Sequence, residues 1–363
     1  MRTLIHFRFI AVIAIVLFAG ACGLSRNSHA GKVFLVYKGR KITTVEQWNK
    51  KRKTILAHMQ EAMGPLPDLK RNPPFNVHVL DSTTGTGYKR YTIRFTVAKG
   101  EDLPALLYLP LEPTARKKIP AVIALHGTDN LGKLSVAGYS ALANRDYAKK
   151  LAERGYVVLA PDYPSFGDLK NYDFDNDRYQ SGTMKGIFDH MRCVDYLQSL
   201  PMVDASKIAV IGHSLGGHNA LFLGAFDQRV KVVIASCGWR LFPYYDLGPA
   251  MEKQYGGKLG PWAQKRYMPL LKEKYQLQPG RIPFDFDDII ATIAPRVFFT
   301  NSPLRDANFS VAGVRAGLKN ISAVYGLYNA SGALYTCFPD AAHDFPEAAT
   351  KAAFHVLDSV FKK

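Results

Sequence analysis

Apolar and polar positions fall into two rhythms along the chain. Thr43-x-x-Glu46 has the form of a capping box, and Gln47 and Trp48 then lead into a helix running to about Met63. Gly64-Pro65-Leu66-Pro67 stops it. From Phe75 to Pro110 the pattern has period two and is rich in β-branched and aromatic residues. With Gly85-Thr86-Gly87 as a turn, it predicts about three antiparallel strands. The rhythm then changes to short apolar runs: Ile119–Leu125, Tyr156–Ala160, Ile208–Ile211, Val230–Ser236 and Pro295–Thr300. Helical stretches separate them at about Asn144–Arg154, Ser181–Leu200, Ser214–Ala225 and Asn308–Tyr325. A last strand, Ala333–Phe338, precedes a last helix, Glu347–Phe361. Buried strands alternating with amphipathic helices predict a mostly parallel α/β sheet with helices on both faces.

One stretch breaks the alternation. Residues 239–288 separate two strands that one helix could join, and they are rich in Gly, Pro and aromatics (Trp239, Phe242, Tyr244, Tyr245, Tyr255, Trp262, Tyr267). They read as a lid inserted over the strand ends, or as a helix with long surface loops.

The chain of 363 residues accommodates one large domain. The expected layout is a leader over residues 1–21, an N-terminal helical segment over 22–74, and a catalytic domain over 75–363 with the insertion at about 239–288. The leader rests on Arg2, Arg8 and the unbroken apolar run of 13 residues from Phe9 to Ala21, too short to span a bilayer comfortably. Ala19-Gly20-Ala21-Cys22 resembles a lipobox whose cysteine is acylated. Ser28-His29-Ala30 is a competing cleavage site. The chain is therefore expected to be exported, as a periplasmic or outer-membrane lipoprotein or as a secreted protein. Its only membrane contact would be a lipid on Cys22. With Cys22 acylated, Cys193, Cys237 and Cys337 remain, an odd number expected to act mainly as buried apolar residues.

The formal charge of +17 favours anionic partners. Export and the lack of any recognition motif argue against nucleic acid. An acidic polysaccharide or an anionic cell surface is the more natural partner. The basic run Lys50-Lys51-Arg52-Lys53 reads as a solvated helix face. No CxxC pair supports zinc or thioredoxin chemistry.

Candidate chemistry centres on Gly212-His213-Ser214-Leu215-Gly216. This G-x-S-x-G follows the buried strand Lys207–Ile211 and leads straight into a helix, the context of a nucleophile elbow. Small residues at Gly212 and Gly216 let the serine project from the strand end. A serine hydroxyl needs a base. His343, in the loop between the last strand and the last helix, is placed for that role, whereas His355 lies inside the helix. The base needs an acid to fix its tautomer. Asp306, after the strand Pro295–Thr300, completes the chain order Ser214, Asp306, His343. Asp340 and Asp344 compete for the role but flank the histidine too closely. The amides of Leu215 and Thr128 are expected to form the oxyanion hole, Thr128 through the loop His126-Gly127-Thr128. Trp239, Arg240 and Tyr163 are the candidate substrate contacts. His213 and His218 are spaced like ligands but lack a third. Asp189, Arg192 and Asp195 read as a structural ion pair on one helix. Asp162, Ser165 and Asp168 border the site without an assigned role.

These residues resemble a family of bacterial exported α/β-hydrolases related to dienelactone hydrolases and acetyl xylan esterases. The matching pieces are Ala160-Pro161-Asp162-Tyr163 with Phe166-Gly167-Asp168, the helix from Gly186 to Leu197, Val203-Asp204 leading into Ile211–Gly217, Ala225-Phe226-Asp227-Gln228-Arg229, Ser236-Cys237-Gly238-Trp239, Asp306-Ala307-Asn308-Phe309, and His343-Asp344-Phe345-Pro346. They cover about Leu103 to the C-terminus. The resemblance implies the α/β-hydrolase fold and serine esterase activity without metal or organic cofactor. Within it, a carbohydrate esterase, either a deacetylase or a pectin-type methyl esterase, is the reading expected here. Two rivals are a serine peptidase of prolyl-oligopeptidase type and a catalytically inactive surface binding protein. The stretch before Leu103 is too short for the propeller that usually accompanies such peptidases.

Overall fold

The structure is a computed structural model that describes residues 25–26, 34–68, 73–111 and 118–362. The apolar leader, Cys22 and the Ser28-His29-Ala30 site lie outside the described residues. Short strands β1 (Ser25–Arg26), β2 (Val36–Tyr37) and β3 (Arg40–Lys41) precede helix α1 (Val45–Met63). Strands β4 (His78–Gly85), β5 (Tyr88–Ala98) and β6 (Glu101–Pro110) form the antiparallel lead-in. The alternating part comprises β7 (Ile119–Leu125), α2 (Tyr147–Glu153), β8 (Val157–Pro161), α3 (Gly182–Ser199), β9 (Val203–His213), α4 (Leu215–Phe226) and β10 (Val230–Ser236). The inserted stretch carries the short helices α5 (Pro249–Tyr255), α6 (Leu270–Glu273) and α7 (Phe286–Ala291). Strand β11 (Val297–Asn301), α8 (Val311–Leu327), β12 (Leu334–Cys337) and α9 (Glu347–Phe361) close the fold.

Among the described residues these strands make a ten-stranded sheet in the order β1-β12-β11-β10-β9-β7-β8-β6-β5-β4. Strands β7 to β12 are parallel to one another, and β6 meets β8 antiparallel. The order reverses between β7 and β9, so their carboxyl ends open a crevice of the kind in which α/β sheets bind ligands.

Both faces of the parallel strands are buried, which explains their unbroken apolar runs. Ala121, Ile123 and Leu125 of β7 enter one core with residues of α1, α3, α4, α7 and α8. Val122 and Ala124 enter a second core with residues of α2 and α9. Helix α1 contributes Trp48, Ile55, Met59 and Met63 to the first core, so the N-terminal helix packs on the same body as the sheet. Its cap is one residue later than expected. Thr44 Oγ1 accepts from Gln47 N at 3.3 Å, and Gln47 Oε1 accepts from Thr43 N at 2.8 Å. The sequence Thr43-Thr44-Val45-Glu46-Gln47 satisfies the capping pattern in two registers. Glu46 pairs instead with Lys50 at 3.0 Å. The basic run is only partly a solvated face, because the half-buried Lys51 donates to Phe34 O at 2.9 Å and lies over the Phe34 ring. Cys193 and Cys237 are buried free thiols, but Cys337 is disulfide-bonded rather than a third free thiol. Among the described residues no helix is long and apolar enough to cross a membrane.

Candidate active site

The strand-to-helix turn between β9 and α4 is built from residues without side chains. A Cβ on Gly212 would lie 2.2 Å from Gly216 C, and one on Gly216 would lie 2.0 Å from Leu125 O. The turn therefore fits against β7 only with glycine at both positions. Between them Ser214 is held at φ 57°, ψ −121°, a strained backbone for a residue with a side chain. Its N–H donates to Ser236 O at 2.8 Å, which anchors the turn to β10. Leu215 is the first residue of α4, so its amide has no partner within the helix.

Two loops converge on this serine. The loop after β11 and the loop after β12 are joined by backbone bonds from Ser302 N to Cys337 O and from Leu304 N to Pro339 O, each 2.9 Å, and from Arg305 N to Ala341 O at 3.0 Å. This pairing brings Asp306 to His343 although 37 residues separate them. His343 Nδ1 lies 3.1 and 3.0 Å from the two Asp306 oxygens. His343 Nε2 lies 2.9 Å from Ser214 Oγ. The Asp306 side chain is fully buried and also accepts from the amides of Asn308 and Phe309 at 2.8 and 3.0 Å. Burial pushes its carboxyl up, but the hydrogen bonds and charge it shares with His343, together with the Phe309 amide, outweigh burial and hold it below the usual carboxylate range. The two competing acids are engaged elsewhere. Asp340 pairs with Arg305 at 2.7 Å, and Asp344 pairs with Arg145 at 2.7 Å. His355 is exposed on α9.

Thr128 lines the same pocket as Ser214 and Leu215. Its loop is locked from behind by Asp162, which accepts from Lys133 N at 2.7 Å and Lys133 Nζ at 2.6 Å. A Cβ on Gly132 or Gly167 would meet Asp162 Oδ1 at 2.2 Å. Lys133 also reaches Asp168 at 2.7 Å. His126 is fully buried, with Nδ1 against Gly127 O and Nε2 accepting from Tyr163 N at 3.0 Å. Its role is structural.

The pocket over Ser214 has a volume of about 380 Å³. Its wall comes from the inserted stretch, with Tyr245, Tyr255, Trp262 and Tyr267 as aromatic faces and Phe309 from the acid loop. Phe309 also stacks on His343 with 25° between the rings. The insertion is tied to the start of α3. Gly182 N donates to Lys265 O at 2.9 Å, Thr183 N to Tyr267 O at 3.0 Å, and Tyr163 Oη to Arg266 O at 2.6 Å. The α3 amides so used are among those a helix start leaves unpaired.

The three expected substrate contacts do not line this pocket. Trp239 is buried, donates to Thr300 Oγ1 at 3.0 Å and packs over Gly317. Arg240 is buried beneath the wall, 4.3 Å from the centre of the Tyr245 ring, and donates to Asp246 O at 3.2 Å. Tyr163 is buried with its hydroxyl spent on the Arg266 carbonyl. All three brace the wall. The pocket's aromatics were visible in the sequence as a class, but nothing in spacing alone separated Trp262 from Trp239. Asn308 and Phe309 sit two and three residues past the acid and were legible only as its neighbours.

His213 and His218 point apart. His218 stacks on Trp262 at 4.4 Å within the core. His213 Nδ1 lies 2.9 Å from Ser236 Oγ, and burial, then the nearby charges of Arg145 and His343, push its pKa well down. The donor atoms of His213, Cys237 and His343 lie within 4.8 Å of one another. Both nitrogens of His343 are committed to Ser214 and Asp306, and Cys237 Sγ donates to Asp344 O at 3.2 Å. A metal bound there would dismantle the hydrogen-bonded line. Asp189 pairs with Lys185 at 2.6 Å, and Arg192 with Asp195 at 2.6 Å, so these groups are structural.

A family model described as "Alpha/beta hydrolase family" matches residues 122–354. The chain is 25% identical over 342 residues to carbohydrate esterase MZ0003 from an unknown prokaryotic organism, covering 81% of this chain and 77% of that protein. It is 24% identical over 293 residues to the 4-O-methyl-glucuronoyl methylesterase of Hypocrea jecorina, covering 77% of this chain and 58% of that protein. The solved structure of a glucuronoyl esterase from Solibacter usitatus superposes with a TM-score of 0.70 at 19% identity, covering 92% of this chain and 98% of that one. That likeness is one of fold.

Proposed function

The chain belongs to the alpha/beta hydrolase family, and on that premise we propose that it is a serine carboxylic-ester hydrolase acting on a carbohydrate ester. The observation that carries this reading is the hydrogen-bonded line Ser214–His343–Asp306 at the foot of an aromatic pocket. His343 takes the Ser214 proton as Oγ attacks the ester carbonyl. Asp306 holds the ring and stabilises the imidazolium. The amides of Leu215 and Thr128 receive the negative charge that develops on the carbonyl oxygen. His343 then gives its proton to the departing alcohol, and water, deprotonated by the same ring, releases the acid. The intact line argues against an inactive binding protein.

The pocket supports a sugar on the acyl side of the ester. Aromatic faces at Tyr245, Tyr255, Trp262 and Tyr267 suit the apolar face of a pyranose ring, and about 380 Å³ exceeds what an acetyl group fills. No lysine or arginine lines it. A neutral uronate ester therefore fits better than a free uronate. Two relatives support the class by name, one called a carbohydrate esterase and one a 4-O-methyl-glucuronoyl methylesterase. The leader-like N-terminus supports export toward such a polymer. Mass analysis of the mature protein, with and without reduction, locates the cleavage site.

The test compares wild type and Ser214→Ala on a methyl-esterified uronate and on acetylated xylan. Methanol release by wild type, lost in the variant, is the expected result. Acetate release without methanol release overturns the uronate assignment in favour of a deacetylase.

A further inference from the structure

Beside the His343 loop lies a second concavity of about 630 Å³, formed by β5, the loop after β7 and the start of α2. Four cations line it, Arg90, Arg145, Lys149 and Lys150, against one carboxylate, Asp146. Its floor carries an aromatic face. Tyr139 is 56% exposed, the Arg90 guanidinium lies 5.3 Å from the centre of its ring, and Arg90 Nη2 donates to its hydroxyl at 3.1 Å. Leu142 beside it is 62% exposed.

The pairing of these cations is informative. Lys149 and Lys150 contact Glu153 and Asp146 at 2.5 and 2.8 Å in partly exposed pairs four residues apart along α2 and its cap. Such pairs contribute little and exchange readily with another carboxylate. Arg90 faces phenols, Tyr139 and Tyr108, and no carboxylate partner among the described residues. The wall of this cleft is fastened to the catalytic loop. Asn144 Nδ2 and Arg145 Nη1 each donate to Asp344 at 2.7 Å, and Asp344 is the neighbour of His343. Asn144 and Arg145 of the cleft are thus joined through Asp344 to His343 of the Ser214 pocket.

We propose that this cleft is a second carbohydrate subsite, which holds free uronate units of the polymer whose esterified unit sits at Ser214. The proposal rests on the carbohydrate-ester reading above. It assigns the two halves of a partly esterified uronate polymer to two surfaces. The neutral ester enters the pocket without cations. Unesterified neighbours place a ring on Tyr139 and carboxylates against Arg90 and the α2 lysines, in charge-assisted bonds. A neutral polysaccharide makes no use of the second surface.

The double variant Arg90→Ala/Tyr139→Ala tests it, with circular dichroism to verify folding. Three substrates or ligands are used: p-nitrophenyl acetate, partly methyl-esterified polygalacturonate, and fully de-esterified polygalacturonate in affinity electrophoresis. The expected result on the esterified polymer is a KM raised about tenfold with kcat within about twofold, the loss of two anchoring contacts. Retardation by the de-esterified polymer is lost. Wild-type KM on the polymer rises as salt goes from about 20 to about 300 mM, and the variant's rises much less, because the contacts are screened. Turnover of p-nitrophenyl acetate changes less than about twofold. A polymer KM within twofold of wild type, or unchanged retardation, overturns the subsite while leaving the esterase reading intact. A wild type that cleaves p-nitrophenyl acetate but no uronate ester overturns the carbohydrate reading itself, and retardation by the de-esterified polymer still decides whether the cleft binds uronate.

Discussion

Gly216 and the Leu125 carbonyl are in backbone contact, so close that a Cβ on the glycine would lie 2.0 Å from the Leu125 oxygen. That contact clamps the start of α4 against the end of β7 and sets where Ser214 projects. Backbone on one side and backbone on the other leave nothing soft to yield. Gly216→Ala is expected to destabilise the protein by at least about 2 kcal/mol and to abolish turnover in whatever fraction folds. Thermal unfolding and active-site titration check both.

Tyr255 and Trp239 separate binding from bracing. Tyr255 lines the pocket, whereas Trp239 is buried with its indole bonded to Thr300. Tyr255→Ala is expected to raise KM for a sugar ester several-fold with little change in Tm. Trp239→Phe is expected to lower stability by about 1 kcal/mol through the lost hydrogen bond, with KM unchanged. Steady-state kinetics beside thermal melts of the two variants read the contrast.

Much of this architecture is legible in the residue pattern, because buried parallel strands need unbroken apolar runs and the elbow needs glycine on both sides of its serine. Val230–Ser236 and Glu347–Phe361 fall where the pattern places them. The line from Ser214 to His343 to Asp306 follows from chain order, since each strand end delivers one side chain to the same edge. The pocket wall is a different matter. It is built from short helices and loops whose positions are set by distant bonds, such as Tyr163 Oη to Arg266 O. An aromatic in such a segment reads the same in sequence whether it faces ligand, like Trp262, or core, like Trp239. Charge misleads similarly, because Arg240 is buried beneath Tyr245 while the cations of the second cleft lie scattered over β5 and α2.

Stability should fall as pH rises through neutrality. Burial pushes Asp285 up to about 8, and burial with repulsion from Asp287 pushes Asp288 up to about 7. In an unfolded chain both titrate near about 4. Between those values the folded state holds protons that the unfolded state has lost, so stability is greatest below about pH 4 from these groups and is lost toward pH 8. Asp285 caps α7, accepting from Phe286 N at 2.7 Å, and asparagine can serve the same cap. Below about pH 6.5 the buried histidines His190 and His218, held neutral by burial, oppose this trend, so Asp285→Asn is expected to flatten the fall in Tm between about pH 7 and about pH 8 without lowering Tm at about pH 7. Melting curves across that range decide it.

The buried pair Lys133–Asp162 holds the loop that carries Thr128. Lys133→Ala leaves the Asp162 carboxylate buried without its cation, and is expected to cost about 3–5 kcal/mol. Lys133→Met with Asp162→Asn should recover part of that loss. Chemical denaturation of the single and double variants tests the coupling.

The central claim is that Ser214 forms a covalent acyl intermediate with help from His343. The most direct measurement is intact-mass and peptide analysis after exposure to a fluorophosphonate, which traps an activated serine. The expected result is one adduct, on Ser214, absent in Ser214→Ala and formed about 10³-fold or more slowly in His343→Ala. No adduct on folded wild type, or an adduct on another serine with Ser214 unmodified, would contradict the account.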